Sequence, residues 1–183
     1  MSKVFIYILF VKTGYEYRVA KELLQLFRDN NLRPFVPTYK TQFIKAGKVS
    51  IETQVLFPGY VFIQSEIPES SFYMIIQQYI TRIDKAIKLL RYSRNTEDYY
   101  SIALINDDYL MLSKLYNDEY CVEMSQGLIS GDKIIITEGP LKEFEGYIKR
   151  VNRHKREAVI EIRMMGQLSE VTVGLEILNK NPK

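Results

Sequence analysis

The first long apolar run is Val4-Phe5-Ile6-Tyr7-Ile8-Leu9-Phe10-Val11, made mostly of residues that favour strands. With no polar alternation in it, the run reads as a strand covered on both faces. The spacing then turns helical: Val19, Leu23, Leu26 and Phe27 form an apolar stripe, with Arg18, Lys21, Glu22 and Arg28 among them. Thr13 with Glu16 three residues on matches a capping box, and Asn30-Asn31 marks the expected end of the helix. Phe35 to Tyr39 reads as a second strand, which Pro34 and Pro37 push toward a sheet edge or an irregular pairing. From Tyr39 to Val55 a loose alternation surrounds Lys45-Ala46-Gly47-Lys48, which predicts a polar, exposed hairpin with its tip there.

A second run, Leu56-Phe57-Pro58-Gly59-Tyr60-Val61-Phe62-Ile63, follows the hairpin. Pro58 suits the first residue of a strand or a bulge, and Gly59 lets the backbone bend or approach something closely. On pattern alone this is a buried central strand entered through a kink. Pro68 then reads as an early helix position, with Phe72, Ile75, Ile76 and Tyr79 as the apolar stripe. A strand over Ala86 to Tyr92 and a third helix capped by Asn106 come next. Asp107 and Asp108 would lie in its first turn, where the macrodipole favours acids, and Leu110, Leu112, Leu115 and Tyr116 supply apolar contacts.

Neither period survives across Asn117 to Gly127, where acidic and small polar residues dominate. The chain therefore divides into a domain of residues 1–116, a linker of 117–127 and a second domain of 128–183. The second domain opens with Gly131-Asp132-Lys133-Ile134-Ile135-Ile136 as turn and strand. Gly139-Pro140 follows, and Gly146 is placed where two backbones could approach closely. Ala158, Ile160, Ile162 and Met164 alternate with Val159, Glu161, Arg163 and Met165, so a further strand has one inner face. Val171 to Ile177 would close a small barrel. The fold class is α+β.

Composition narrows the chemistry. One cysteine, Cys121, allows no intrachain disulfide, which suits a reducing, cytoplasmic home. With one histidine, His154, no Cys/His zinc site can be assembled, and no cofactor is called for. Val4 to Val11 is too short to span a bilayer. No phosphate loop of the P-loop kind and no catalytic constellation stands out, so the chain is read as a non-enzyme.

The net charge of +3 permits a nucleic-acid partner without arguing for one. Residues 1–127 hold 15 basic against 14 acidic side chains and residues 128–183 hold 10 against 8, so any basic patch must be local. Five of the eight residues in Lys149-Arg150-Val151-Asn152-Arg153-His154-Lys155-Arg156 are Lys or Arg. They span the turn between the second and third barrel strands. A solvated hairpin tip accounts for such a run, and so does a phosphate-binding rim that Arg163 on the adjoining strand could join.

Leu56 to Ile63, read as LFPGYVFI, resembles the signature strand of the NusG family of transcription elongation factors. Lys12-Thr13-Gly14-Tyr15-Glu16 is similar to that family's strand-to-helix turn, and Gly139 to Gly146 resembles its KOW motif. The resemblance implies a NusG N-terminal α/β sandwich followed by a small SH3-like KOW barrel. It also implies that Phe57 and Tyr60 help form an apolar depression that docks the RNA polymerase clamp. Family members place a hairpin like that of residues 39–55 against polymerase. Lys12 and Arg18 could approach upstream DNA, or they are ordinary solvated helix charges.

Met165-Gly166-Gln167 stands where housekeeping relatives typically carry Phe-Gly-Arg, so contacts to a small-subunit ribosomal protein and to Rho are not carried over. A basic rim with a diverged partner motif is more similar to a specialised LoaP-type antiterminator, which uses an RNA element in the nascent leader. Lys149, Arg150, Arg153, His154, Lys155, Arg156 and Arg163 would then bind nascent RNA, such as a leader hairpin. The alternative is a KOW-containing RNA-binding protein of ribosome assembly that does not bind polymerase.

Overall fold

A computed structural model of the chain describes residues 3–27, 32–45, 47–93, 100–131 and 133–178. Its strands begin with β1 (Phe5–Val11), β2 (Arg33–Phe35), β3 (Thr38–Lys45), β4 (Lys48–Val55) and β5 (Tyr60–Ser65). They continue with β6 (Ala86–Leu89), β7 (Tyr92–Ser93), β8 (Tyr100–Ser101) and β9 (Cys121–Val122). The last are β10 (Ser125–Ser130), β11 (Lys133–Glu138), β12 (Ile148–Asn152), β13 (Glu157–Met164) and β14 (Gln167–Ile177). The α-helices are α1 (Glu16–Leu26), α2 (Glu69–Tyr79) and α3 (Asn106–Leu115), with short 3-10 turns at Ile80–Arg82, Pro140–Glu143 and Glu145–Tyr147. The architecture is mixed α+β.

The contacts divide the chain into two compact units. The first comprises Met1–Val36, Phe57–Tyr109 and Met164–Gln167. Its sheet has the order β2-β5-β1-β6, and β1 pairs antiparallel with both β5 and β6. Ile6, Tyr7, Ile8, Leu9 and Val11 are all buried, as a strand without polar alternation requires. Tyr7 stacks on Phe72 of α2 with ring centroids 3.6 Å apart, and its hydroxyl donates to the Ile67 carbonyl at 2.6 Å. Burial and the nearby Glu69 carboxylate push the Tyr7 phenol well above its ordinary range. Phe72 and Ile76 are the buried pair of the α2 stripe, and Pro68 is the N-cap.

The second unit comprises Pro37–Leu56, Leu110–Arg163 and Leu168–Lys183. It holds a five-stranded sheet in the order β11-β10-β14-β13-β12 and a three-stranded sheet in the order β4-β3-β9. Ala158, Ile160 and Ile162 are fully buried and Met164 nearly so, which is the inner face that the alternation specifies. β3 and β4 pair in register from Thr38↔Val55 to Lys45↔Lys48. The expected tip is therefore in place, with Gly47 at φ +75°; Ala46 lies outside the described residues.

Several expectations are corrected. Phe35 to Tyr39 is two strands rather than one, because Val36-Pro37 interrupts the ladder between β2 and β3. The strand expected over Ala86 to Tyr92 stops at Leu89. Helix α1 ends at Leu26, which is exposed, and the predicted end at Asn30-Asn31 lies outside the described residues. The stretch 117–127 has strand structure after all. In it β9 pairs parallel with β3, and β10 begins at Ser125 and pairs parallel with β14. The Asn117 carboxamide oxygen accepts the Glu119 and Cys121 N–H groups, each at 3.0 Å, so its polar composition serves a turn.

Glycine crowding also differs from expectation. A Cβ at Gly146 would meet nothing within 4 Å. Gly139 is the constrained one: it sits at φ +94° and ψ 178°, a region that only glycine visits readily. A Cβ there would lie 2.6 Å from the Ser125 Cα. Gly139→Ala is therefore expected to cost at least about 2–3 kcal/mol. Urea unfolding should show the loss, and an unshifted midpoint would mean that the turn has another conformation in solution.

Candidate functional site

The entry to β5 is built by contacts from far along the chain. Gly59 has φ +87°, and its N–H donates to Glu16 Oε1 at 2.6 Å in a buried hydrogen bond. Its carbonyl accepts the Val11 N–H at 2.8 Å. A bond from an N–H to a buried carboxylate is of the stronger kind, about 1.5–3 kcal/mol. The expected capping box therefore does not form. Tyr15 is the N-cap without a side-chain bond, so Glu16 is the first helical residue and not the third after a Thr13 cap, and its carboxylate is used on Gly59. A Cβ on Gly59 would come within 3.3 Å of the Phe10 ring and 3.2 Å of Thr13 Oγ1, a tight fit, and the positive φ is what favours glycine here.

The two expected docking residues differ in position. Phe57 is only 4% exposed, and its ring lies 5.4 Å from Phe62, which in turn lies 5.5 Å from Phe35. It is a core residue beneath the surface. Tyr60 is half-buried and tilts against half-buried Phe10 at 5.4 Å. Sequence reasoning missed Phe10. It lies inside the unbroken apolar run of β1, which reads as covered, although it pairs directly with Tyr60 in the ladder.

Lys12 and Arg18 are exposed and lie at the same end of α1. Arg18 bonds both Glu22 and Asp84 at 3.1 Å, which raises its already high pKa. The Asp84 carboxyl lies below its ordinary value, chiefly through the hydrogen bond from Lys85 and then through the Lys85 and Arg18 charges. Lys12 stands with its ammonium 5.4 Å from the centre of the Tyr15 ring.

The basic run lies where expected, on β12 and the Arg153–Arg156 turn that joins it to β13. Lys149 pairs with Glu161 at 2.7 Å, Arg150 with Glu170 at 3.0 Å and Arg156 with Glu176 at 3.3 Å. Arg156 is also a framework residue, at φ +53° and with its carbonyl accepting the Leu175 N–H at 2.8 Å. Arg153, His154 and Lys155 are exposed at the tip, which the Asn152 carboxamide shapes by accepting the Lys155 N–H at 3.0 Å. Arg153 and Lys155 have no carboxylate partner among the described residues. Arg163 is exposed on β13. Arg150, Arg153, His154 and Lys155 line an open cavity of about 510 Å³.

Among the described residues no group of three or more His, Cys, Asp or Glu could hold a metal ion. No described helix is long and apolar enough to cross a membrane.

A family model described as "Transcription termination factor nusG" matches residues 6–104, more than half of the chain. The chain belongs to the NusG family. NusG proteins are transcription factors and not enzymes. The transcription termination/antitermination protein NusG of Borreliella burgdorferi is 20% identical over 186 residues, covering 95% of this chain and 97% of the relative. That of Haemophilus influenzae is 22% identical over 171 residues, covering 90% and 88%. A solved structure described as "Domain interaction in Thermotoga maritima NusG" is similar at 19% identity, with a TM-score of 0.49 over 95% of this chain and 94% of that one.

Proposed function

We propose that this NusG-family chain regulates transcription elongation and antitermination in the cytoplasm. In this reading its first unit docks the RNA polymerase clamp, and its KOW barrel holds nascent RNA, such as a leader hairpin, on the β12–β13 turn. The observation that carries the polymerase half is the Phe10–Tyr60 pair. It stays accessible at the entry to β5 while its neighbours Val61, Phe62 and Ile63 are buried. A partly exposed aromatic pair on a rigid strand pair is a suitable anchor for a protein interface. The factor would favour processive elongation only by its preference for the elongating polymerase over the paused one.

Arg153, His154 and Lys155 carry the RNA half, with Lys149, Arg150, Arg156 and Arg163 around them. The three ion pairs among these are exposed or partly exposed, each worth about 0–1 kcal/mol, so a phosphate could replace a carboxylate at small cost. Of the two candidates for upstream DNA, Lys12 is the better placed, because Arg18 is engaged by two carboxylates. The diverged Met165-Gly166-Gln167 favours a LoaP-type specialisation. In that turn Met165 is buried at φ +53°.

Tyr60→Ala tests the docking half. Its affinity for core RNA polymerase should fall by a hot-spot amount, about 2 kcal/mol or roughly thirtyfold, while its circular dichroism spectrum stays that of the parent. Parental affinity in a folded Tyr60→Ala protein removes the docking reading and leaves the ribosome-assembly alternative standing.

A further inference from the structure

The second unit brings an exposed aromatic side chain to the basic turn. Phe43 and Ile44 of β3 and Arg153, His154 and Lys155 of the turn line one open groove of about 490 Å³. Phe43 is 40% exposed and Ile44 51%. The groove therefore sets exposed apolar side chains directly beside exposed cations. The β3 end of the groove is firmly seated. Lys40 Nζ bonds Glu123 Oε1 at 2.8 Å, and a Cβ added to Gly174 would overlap the Lys40 carbonyl oxygen, so β14 and β3 pack backbone to backbone.

We infer that this groove holds an unpaired strand of nucleic acid, with a base stacked on Phe43 and the flanking phosphates on Arg153 and Lys155. The inference rests on the proposal that the turn binds RNA, and it adds the class of ligand: unpaired rather than duplex. Charge and shape complementarity argue for it together. A single strand offers an anionic edge and a π face side by side, which matches a groove with cations on one wall and a phenyl ring on the other. A continuous duplex keeps its base faces stacked inside, so it could engage the cations but would find no use for Phe43. Glu157 is the one acidic residue lining the groove, so the wall's net charge favours the phosphates.

The test is fluorescence anisotropy of the full chain with three labelled probes: an oligouridine of about twelve nucleotides, an oligothymidine of the same length and a blunt RNA duplex. The single strands should bind more tightly than the duplex, and a preference between them distinguishes an RNA source from a DNA source. Phe43→Ala should weaken oligouridine binding roughly five- to a hundredfold, which is the range for losing one stacked base. Phe43→Tyr should keep the affinity and Phe43→Leu should lose it, since leucine retains apolar bulk without a ring. Circular dichroism would verify that each variant folds. Duplex binding as tight as single-strand binding overturns the inference. So does parental affinity in Phe43→Ala when Arg153→Glu with Lys155→Glu abolishes binding, and the turn's own RNA role then survives. If the double reversal leaves binding intact, the turn's RNA role falls as well, and with it this inference.

Discussion

Phe57→Ala is expected to destabilise the first unit by about 3–5 kcal/mol, the usual cost of deleting a buried phenyl ring. Phe57 is 4% exposed and forms an aromatic row with Phe62 and Phe35. Phe35 and Phe62 are register partners in the β2–β5 ladder, so the walls around the vacated ring are fixed by backbone hydrogen bonds and cannot close readily. Tyr60→Ala removes a half-buried ring beside Phe10 and should cost the fold much less. Chemical denaturation of the two variants separates these roles. A loss below about 1 kcal/mol for Phe57→Ala would place its ring at the surface and restore it as a direct docking residue. The consequence for binding assays is practical: weak polymerase binding by Phe57→Ala reports unfolding unless the folded fraction is measured, whereas Tyr60→Ala reports contact. Phe57→Leu keeps most of the apolar volume and should fall between them.

The features legible in the sequence are those set by local period. The unbroken run of β1 gave a strand covered on both faces, and the alternation from Ala158 to Met164 gave the inner face of β13. The hairpin tip at residues 45–48 followed from a loose alternation around a glycine. Features set by distant partners were not legible. Thr13 and Glu16 have capping-box spacing, but Glu16 bonds Gly59, 43 positions away, and nothing local announces that. Gly139, Gly146 and Gly174 look alike in sequence, and only the packing shows that Ser125 crowds the first, nothing the second and Lys40 the third. The polar stretch 117–127 lacks a period because β9 is only two residues long and its pairing partner is β3. The charge run was found by counting, yet its partners Glu161, Glu170 and Glu176 lie on β13 and β14. Sequence could give the number of cations in the run but not how many were already paired.

That distinction decides how the RNA surface should be tested. Arg153→Glu with Lys155→Glu is expected to abolish RNA binding by the full chain while leaving polymerase docking and the fold intact. Arg153 and Lys155 are exposed at the turn and lack carboxylate partners among the described residues, so reversing them breaks no described ion pair. Arg156 would be a poor choice. Glu there would set a carboxylate beside its former partner Glu176 at a residue held at φ +53°, so binding loss would be mixed with strain at the turn itself. Each charged contact to phosphate is worth about 1.5–3 kcal/mol, so losing two predicts a fall of at least a hundredfold. The salt dependence gives an independent reading: two lost phosphate contacts should flatten the log–log slope by about 1.4–1.8. Titrations over a range of salt concentrations measure both quantities on one sample. A large fall in affinity with an unchanged slope would mean that the substitutions act through structure and not through phosphates. An unchanged affinity would move the nucleic-acid surface away from this turn, leaving Lys149, Arg150 and Arg163 to carry it.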